Sequence, residues 1–135
     1  MCIVPHGRKC YCGNHGCLDA YCSAKSLTNF TAGNLKDFFQ QMKAGNVGFQ
    51  QVFHEYLDYL AIAVNNLRVC YDATIILGGT IGPYMTEYLE EFRRKAAALN
   101  SFGDDGNYIL SCHYQTEAAA VGAAIYYINE FIENL

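Results

Sequence analysis

The chain predicts an α/β fold, and three observations carry that prediction. In the second half, two apolar runs of strand length, Ala73–Leu77 and Asn107–Cys112, alternate with two amphipathic stretches of helix length. Alternation of this kind predicts parallel strands joined by a helical crossover rather than a helix bundle. A composition of 52% hydrophobic and 14% aromatic residues over 135 positions is enough to fill one core.

The elements follow in chain order. Cys2 to Val4 reads as a short strand, and the rest of residues 1–17 is rich in Cys, Gly and His with no apolar period, which predicts a loop. A short helix is expected from Gly16 to Lys25, then a turn through Thr28, Asn29 and Gly33. Asn34 caps a second helix that runs to Lys43 and is closed by Gly45. From Val47 to about Tyr71 the positions Phe49, Val52, Phe53, Tyr56, Leu60, Val64 and Leu67 recur at three and four, the stripe of one long amphipathic helix. The run Ala73–Leu77 ends in Gly78-Gly79 and suits a strand buried on both faces. A helix from Pro83 to Leu99, a strand over Asn107–Cys112 and a helix from Glu117 to Leu135 complete the chain. The last helix would place Val121, Ala124, Ile125, Ile128 and Ile132 on one face. Two central strands make a small sheet, so further strands are expected from outside this segment.

No internal repeat divides the chain, and residues 1–135 read as one domain: a cysteine loop with its short helix (1–25), a helical stretch (26–71) and a β-α-β-α unit (72–135). No apolar stretch is long enough to span about 30 Å of hydrocarbon, so a membrane protein is not expected. The N-terminus lacks the basic region and apolar core of a secretory signal, which predicts a cytoplasmic protein with reduced thiols. A net charge of −4 gives no field for a phosphate backbone, and no nucleic-acid contact is expected from this segment. Arg93-Arg94-Lys95 is read as a solvated helix face paired with Glu87, Glu90 and Glu91.

Chemistry concentrates in Cys10-Tyr11-Cys12-Gly13-Asn14-His15-Gly16-Cys17. Its glycines let the backbone turn so that three thiolates face one point. Soft thiolate donors and a reducing compartment favour tetrahedral zinc over disulfides. A Gly-rich loop with free thiols is the alternative. A fourth donor is required: His6 has room to fold back, and His15 lies between two ligands. Cys22, Cys70 and Cys112 are expected to be small core residues.

The segment Gly7-Arg8-Lys9-Cys10-Tyr11-Cys12-Gly13-Asn14-His15-Gly16-Cys17-Leu18-Asp19-Ala20 resembles the CxCGxxGCxE signature of the ROK family of repressors and sugar kinases. Ile75-Ile76-Leu77-Gly78-Gly79 and Ala120-Val121-Gly122-Ala123-Ala124 resemble two further family segments in the same order. The resemblance implies a partial actin-like, ribonuclease-H-like (ASKHA) fold of which this is the C-terminal part. It makes Cys10, Cys12 and Cys17 zinc ligands, places Asp19 where a glutamate binds a sugar hydroxyl, and puts Gly78, Gly79 and Thr80 on the nucleotide side. Asp19 is one methylene short, and Thr80 stands where many kinase members keep glycine. The family's histidine ligand aligns immediately before Met1, and its acidic phosphate loop and catalytic Asn-Asp pair lie further upstream. The segment alone therefore has no candidate catalytic residue and is expected to be inactive as a kinase.

The resemblance leaves three functions in view. The departures at Asp19 and Thr80 favour the sugar-effector part of a NagC/XylR-like transcriptional regulator, binding a sugar or sugar phosphate. An ATP-dependent hexose kinase of the glucokinase or N-acetylmannosamine kinase type, using Mg2+, is the alternative. A stand-alone zinc module is the third. Homo-oligomerisation is expected from the incomplete sheet.

Overall fold

A computed structural model describes residues 1–100, 102–114 and 117–134. It is an α/β structure with helices α1 (Asp19–Cys22), α2 (Ala24–Thr28), α3 (Leu35–Lys43) and α4 (Val47–Tyr71) ahead of strand β1 (Ile75–Leu77). A 3-10 turn over Gly79–Ile81 leads to α5 (Gly82–Leu99), then β2 (Ile109–Ser111) and α6 (Ala118–Glu133).

The strongest local signals decide the helix ends. The side-chain oxygen of Asn34 accepts from the Asp37 amide at 3.2 Å, the N-cap expected for α3. Asn46 does the same for α4 toward the Gly48 amide, and Asp72, left-handed at φ 47°, ends that helix. Asn34→Ala should cost about 1 kcal/mol, read as a shift in the urea midpoint with an unchanged slope.

The core lies between α3, α4 and α5, where Phe38, Phe53, Leu57, Met85 and Phe92 are fully buried. Phe39 stacks on Tyr84 with ring centroids 4.1 Å apart, and Phe53 meets Tyr88 edge-on at 4.8 Å. Small buried residues, Ala61 of α4 and Ala96 of α5, add to that packing. β1 and β2 are parallel, in the register Ile75↔Ile109, Ile76↔Leu110 and Leu77↔Ser111, with α5 as the crossover.

Several expectations change. Cys2 to Val4 is no strand; only Cys2 forms an isolated antiparallel bridge, with Cys17, because the chain turns at once through Val4–Gly7. The helix expected over Gly16–Lys25 is two helices broken at Ser23, whose backbone is extended at ψ 155°. β1 is not buried on both faces: Ile76 and its partner Leu110 are exposed on one side, since no described element covers the sheet there. α6 likewise buries none of its side chains, and Ile125, Ile128 and Ile132 are exposed. Its expected end, Leu135, lies outside the described residues.

The charged face of α5 pairs along the helix only at Arg93 and Glu90, as expected, and otherwise with other elements among the described residues. Arg93 reaches Glu90 at 2.7 Å and also donates to the Ile109 carbonyl of β2 at 2.7 and 3.0 Å. Lys95 pairs with Asp58, Glu87 with Lys43, and Glu91 with His54. Cys70 is exposed rather than core, being one residue from the end of α4.

Candidate metal centre

The cysteine loop is a tight hairpin. Cys10 donates its amide to the Asn14 carbonyl at 2.8 Å, and Gly16 donates to the Arg8 carbonyl at 2.8 Å, flanking a bridge between Lys9 and His15. Gly13 (φ 89°) turns the tip and Gly16 (φ 77°) turns the exit, conformations that disfavour any side chain. At residue 16 the space is closed as well: a Cβ there would lie 1.7 Å from the Val4 carbonyl oxygen.

The hairpin gathers Cys10, Cys12 and Cys17 with all three Sγ atoms within 4.8 Å of one another. Cys10 is buried, Cys17 half-buried and Cys12 exposed. The Cys12 and Cys17 sulfurs are 3.7 Å apart. The Asn14 backbone, followed by the neighbouring thiols, holds the Cys12 thiol below the usual thiol range, whereas its hydrogen bond to Cys12 pushes Cys17 up to about 11. Three sulfur donors gathered within 4.8 Å of one another are the soft ligand set a thiophilic divalent ion such as zinc takes, so the residues present fit such an ion.

His6 is exposed at φ 60° within the Val4–Gly7 turn, and His15 is exposed opposite Lys9. Neither joins the three-sulfur group among the described residues. Asp19 opens α1 directly after the loop and is exposed. It lines an open cavity of about 390 Å³ together with Met1, Cys10, Cys12, Cys17 and Leu60. The structure thus brings Asp19 to the thiol cluster. Gly78, Gly79 and Thr80 stand elsewhere, at the C-terminal end of β1, where Gly79 adopts φ 69°.

The loop is fastened to the core by residues the sequence did not single out. The Arg8 amide donates to the Tyr21 hydroxyl at 2.7 Å, and the Arg8 guanidinium lies 4.8 Å from the Tyr21 ring centroid. A Cβ on Gly7 would fall 2.1 Å from that hydroxyl, so glycine is required there. The Tyr56 hydroxyl of α4 donates to the Cys22 carbonyl at 3.1 Å, while the Cys22 thiol points back at the Tyr56 carbonyl at 3.7 Å. Burial pushes Cys22 up to about 12, which keeps it a neutral packing group.

The ROK family's sequence model matches residues 1–130. The chain is similar to the N-acetylmannosamine kinase of Escherichia coli O1:K1 / APEC, 27% identical over 130 residues covering 90% of this chain and 43% of that protein. It is similar to the N-acetylmannosamine kinase of Escherichia fergusonii, 28% identical over 130 residues with the same coverage. The enzyme of that name from Escherichia coli O7:K1 (strain IAI39 / ExPEC) is 27% identical over 135 residues, covering 93% of this chain and 44% of that protein. The chain thus spans less than half the length of the curated relatives it matches. With the cysteine signature, the Gly-Gly turn after β1 and the start of α6 all inside the matched stretch, the chain belongs to the ROK family.

Proposed function

We propose that the chain is the C-terminal, metal-braced part of a ROK sugar kinase acting on an N-acetylated amino sugar. The observation that carries this reading is the cavity in which Asp19 stands beside Cys10, Cys12 and Cys17. Residues 1–135 form one domain within a larger actin-like fold, and the relatives' naming as N-acetylmannosamine kinases supports the substrate class.

Zinc in this reading is a structural cross-link, held by Cys10, Cys12 and Cys17 together with a fourth donor. It fixes the loop from which α1 departs, and so the position of Asp19. The Asp19 carboxylate accepts hydrogen bonds from sugar hydroxyls. Gly78, Gly79 and Thr80, at the carboxyl end of a parallel strand, take the nucleotide side, with ATP and Mg2+ as co-substrates. The thiol cluster suits a reducing cytoplasm, and the acidic charge speaks against nucleic-acid contact by this segment. Among the described residues no helix is long and apolar enough to cross a membrane. The exposed face of the sheet and the unburied α6 support an assembly larger than this chain, a homo-oligomer included.

A sugar-responsive regulator is the second reading, favoured by the short Asp19 and by Thr80 in the nucleotide-side turn. The two separate in one assay series. The protein encoded by the full reading frame should phosphorylate N-acetylmannosamine with ATP, while residues 1–135 alone stay at background. In the full protein, Asp19→Asn should raise KM for the sugar roughly tenfold or more, as loss of a charged hydrogen-bond acceptor implies. No turnover together with sugar-dependent release of DNA would instead establish the regulator.

A further inference from the structure

We propose that Tyr56 of α4 is a positioning residue for Asp19: its hydroxyl fixes the short helix that carries the carboxylate. The inference rests on the reading of Asp19 as a sugar-binding group. It starts from how little α1 holds by itself. The helix has four residues, Asp19–Cys22, and no side-chain cap at its start. A single helical turn is unfavourable in isolation, so its place has to come from tertiary contacts. The following helix does not extend it, because the chain breaks at Ser23 with ψ 155°.

Tyr56 supplies such a contact at the far end of the turn. Its hydroxyl donates at 3.1 Å to the carbonyl of Cys22, the last residue of α1, and the Cys22 thiol points back at the Tyr56 carbonyl at 3.7 Å. The last carbonyls of a helix have no intrahelical donor, so a side-chain hydroxyl there fills a real need. The donor itself is rigidly held. Tyr56 is 4% exposed, sits in the core cluster with Phe53 and Leu57, and belongs to a 25-residue helix. Asp19 and Cys22 are three residues apart on one turn, so they move as one body.

The cavity that Asp19 lines gives this contact its consequence. Leu60, which lines the same cavity, lies on α4 one helical turn beyond Tyr56. The clasp therefore sets the distance between the carboxylate and the α4 wall of the cavity. Tyr21, also on α1, packs on α4 with its ring centroid 4.3 Å from that of Tyr59, but its hydroxyl is engaged with the Arg8 amide of the cysteine loop at 2.7 Å. Among the described residues the Tyr56 hydroxyl bonds the helix and not that loop. Its removal thus separates the placing of Asp19 from metal binding.

The test is a double-mutant cycle in the protein encoded by the full reading frame, read by calorimetric titration with N-acetylmannosamine, which needs no turnover. Tyr56→Phe deletes one oxygen and keeps the buried ring, and far-UV circular dichroism checks that the fold is retained. Its Kd for the sugar should rise about three- to tenfold, the net worth of one neutral hydrogen bond. In turnover the rise should appear in KM for the sugar, with KM for ATP and kcat within about twofold. Added to Asp19→Asn, Tyr56→Phe should cost less than about twofold more, because its effect runs through the carboxylate already replaced. A Tyr56→Phe protein with unaltered Kd overturns the inference and leaves the Asp19 reading standing. Fully additive losses also overturn it, since Tyr56 would then act independently of Asp19, and so does an equal rise in KM for ATP, the mark of general loosening. Unchanged sugar binding in Asp19→Asn, or none in the unaltered protein, overturns the sugar-site reading and this inference with it.

Discussion

Replacing Gly16 with alanine is expected to detach the N-terminal segment from the cysteine hairpin and to weaken metal uptake roughly tenfold or more. Two costs combine at this position. A non-glycine residue at φ 77° loses roughly 1–2 kcal/mol against a right-handed or extended conformation. The larger cost is steric, since the new methyl carbon would lie 1.7 Å from the Val4 carbonyl oxygen, far inside van der Waals contact. The backbone has to move, and the atoms displaced are those that hold Met1–Val4. The Gly16 carbonyl accepts from the Ile3 and Val4 amides at 2.8 and 3.2 Å, and the next residue is the cluster cysteine Cys17. Hydrogen exchange supplies a readout independent of metal: the Ile3 and Leu18 amides should lose protection in Gly16→Ala. Gly13→Ala is the matched control. Its φ of 89° imposes the same conformational cost, but nothing lies within 4 Å of the added carbon. The loop should therefore keep both its exchange pattern and most of its metal affinity. Equal effects from the two substitutions would mean that backbone conformation, not the close approach to Val4, governs the loop.

Phe92→Ala should destabilise the fold by about 3–5 kcal/mol, the range for deleting a fully buried aromatic ring. Phe92 has no exposed surface and lies in the core cluster with Phe53, Leu57, Met85 and Ile109, the last of these on β2. Its removal leaves a cavity that rigid helix packing cannot collapse. Against a total stability of roughly 5–15 kcal/mol, the loss is a large fraction. With a urea slope of about 1–3 kcal/mol per molar, the unfolding midpoint should fall by more than about 1 M. Phe102→Ala, at a residue 82% exposed, should leave the midpoint within experimental scatter. A small effect at Phe92 would mean that the α4–α5 core is more plastic than its packing implies.

Where the sequence carried a strong local pattern, the structure follows it closely. The three- and four-residue stripe marked the long helix, and the observed α4 spans Val47–Tyr71. Asn34 caps α3, and the two apolar runs pair in parallel across α5. The spacing of Cys10, Cys12 and Cys17 among glycines, which tolerate left-handed turns, was enough to place three thiols in one group. The Asp19 carboxylate lies next to that group because a single residue, Leu18, separates it from Cys17.

What the sequence left open depends on contacts between distant segments. The fastening of Arg8 to Tyr21, the clasp between Tyr56 and Cys22, and the cross-helix pairing of Lys43 with Glu87 have no periodic signature, because each partner is chosen by where another element comes to lie. The apolar pattern of β1 and α6 is one a buried element would carry, yet Ile76, Ile125 and Ile132 are exposed. Hydrophobic periodicity states which face favours burial, whereas only the arrangement of neighbouring elements decides whether anything covers it. The sequence alone therefore determined the α/β class, the ends of α3 and α4 and the three-thiol cluster, because these arise from short-range backbone preference and spacing. Tertiary structure decided the Cys2–Cys17 juxtaposition, the anchoring of the loop and the uncovered faces, because these require segments far apart in the chain to meet, a geometry that no local pattern encodes.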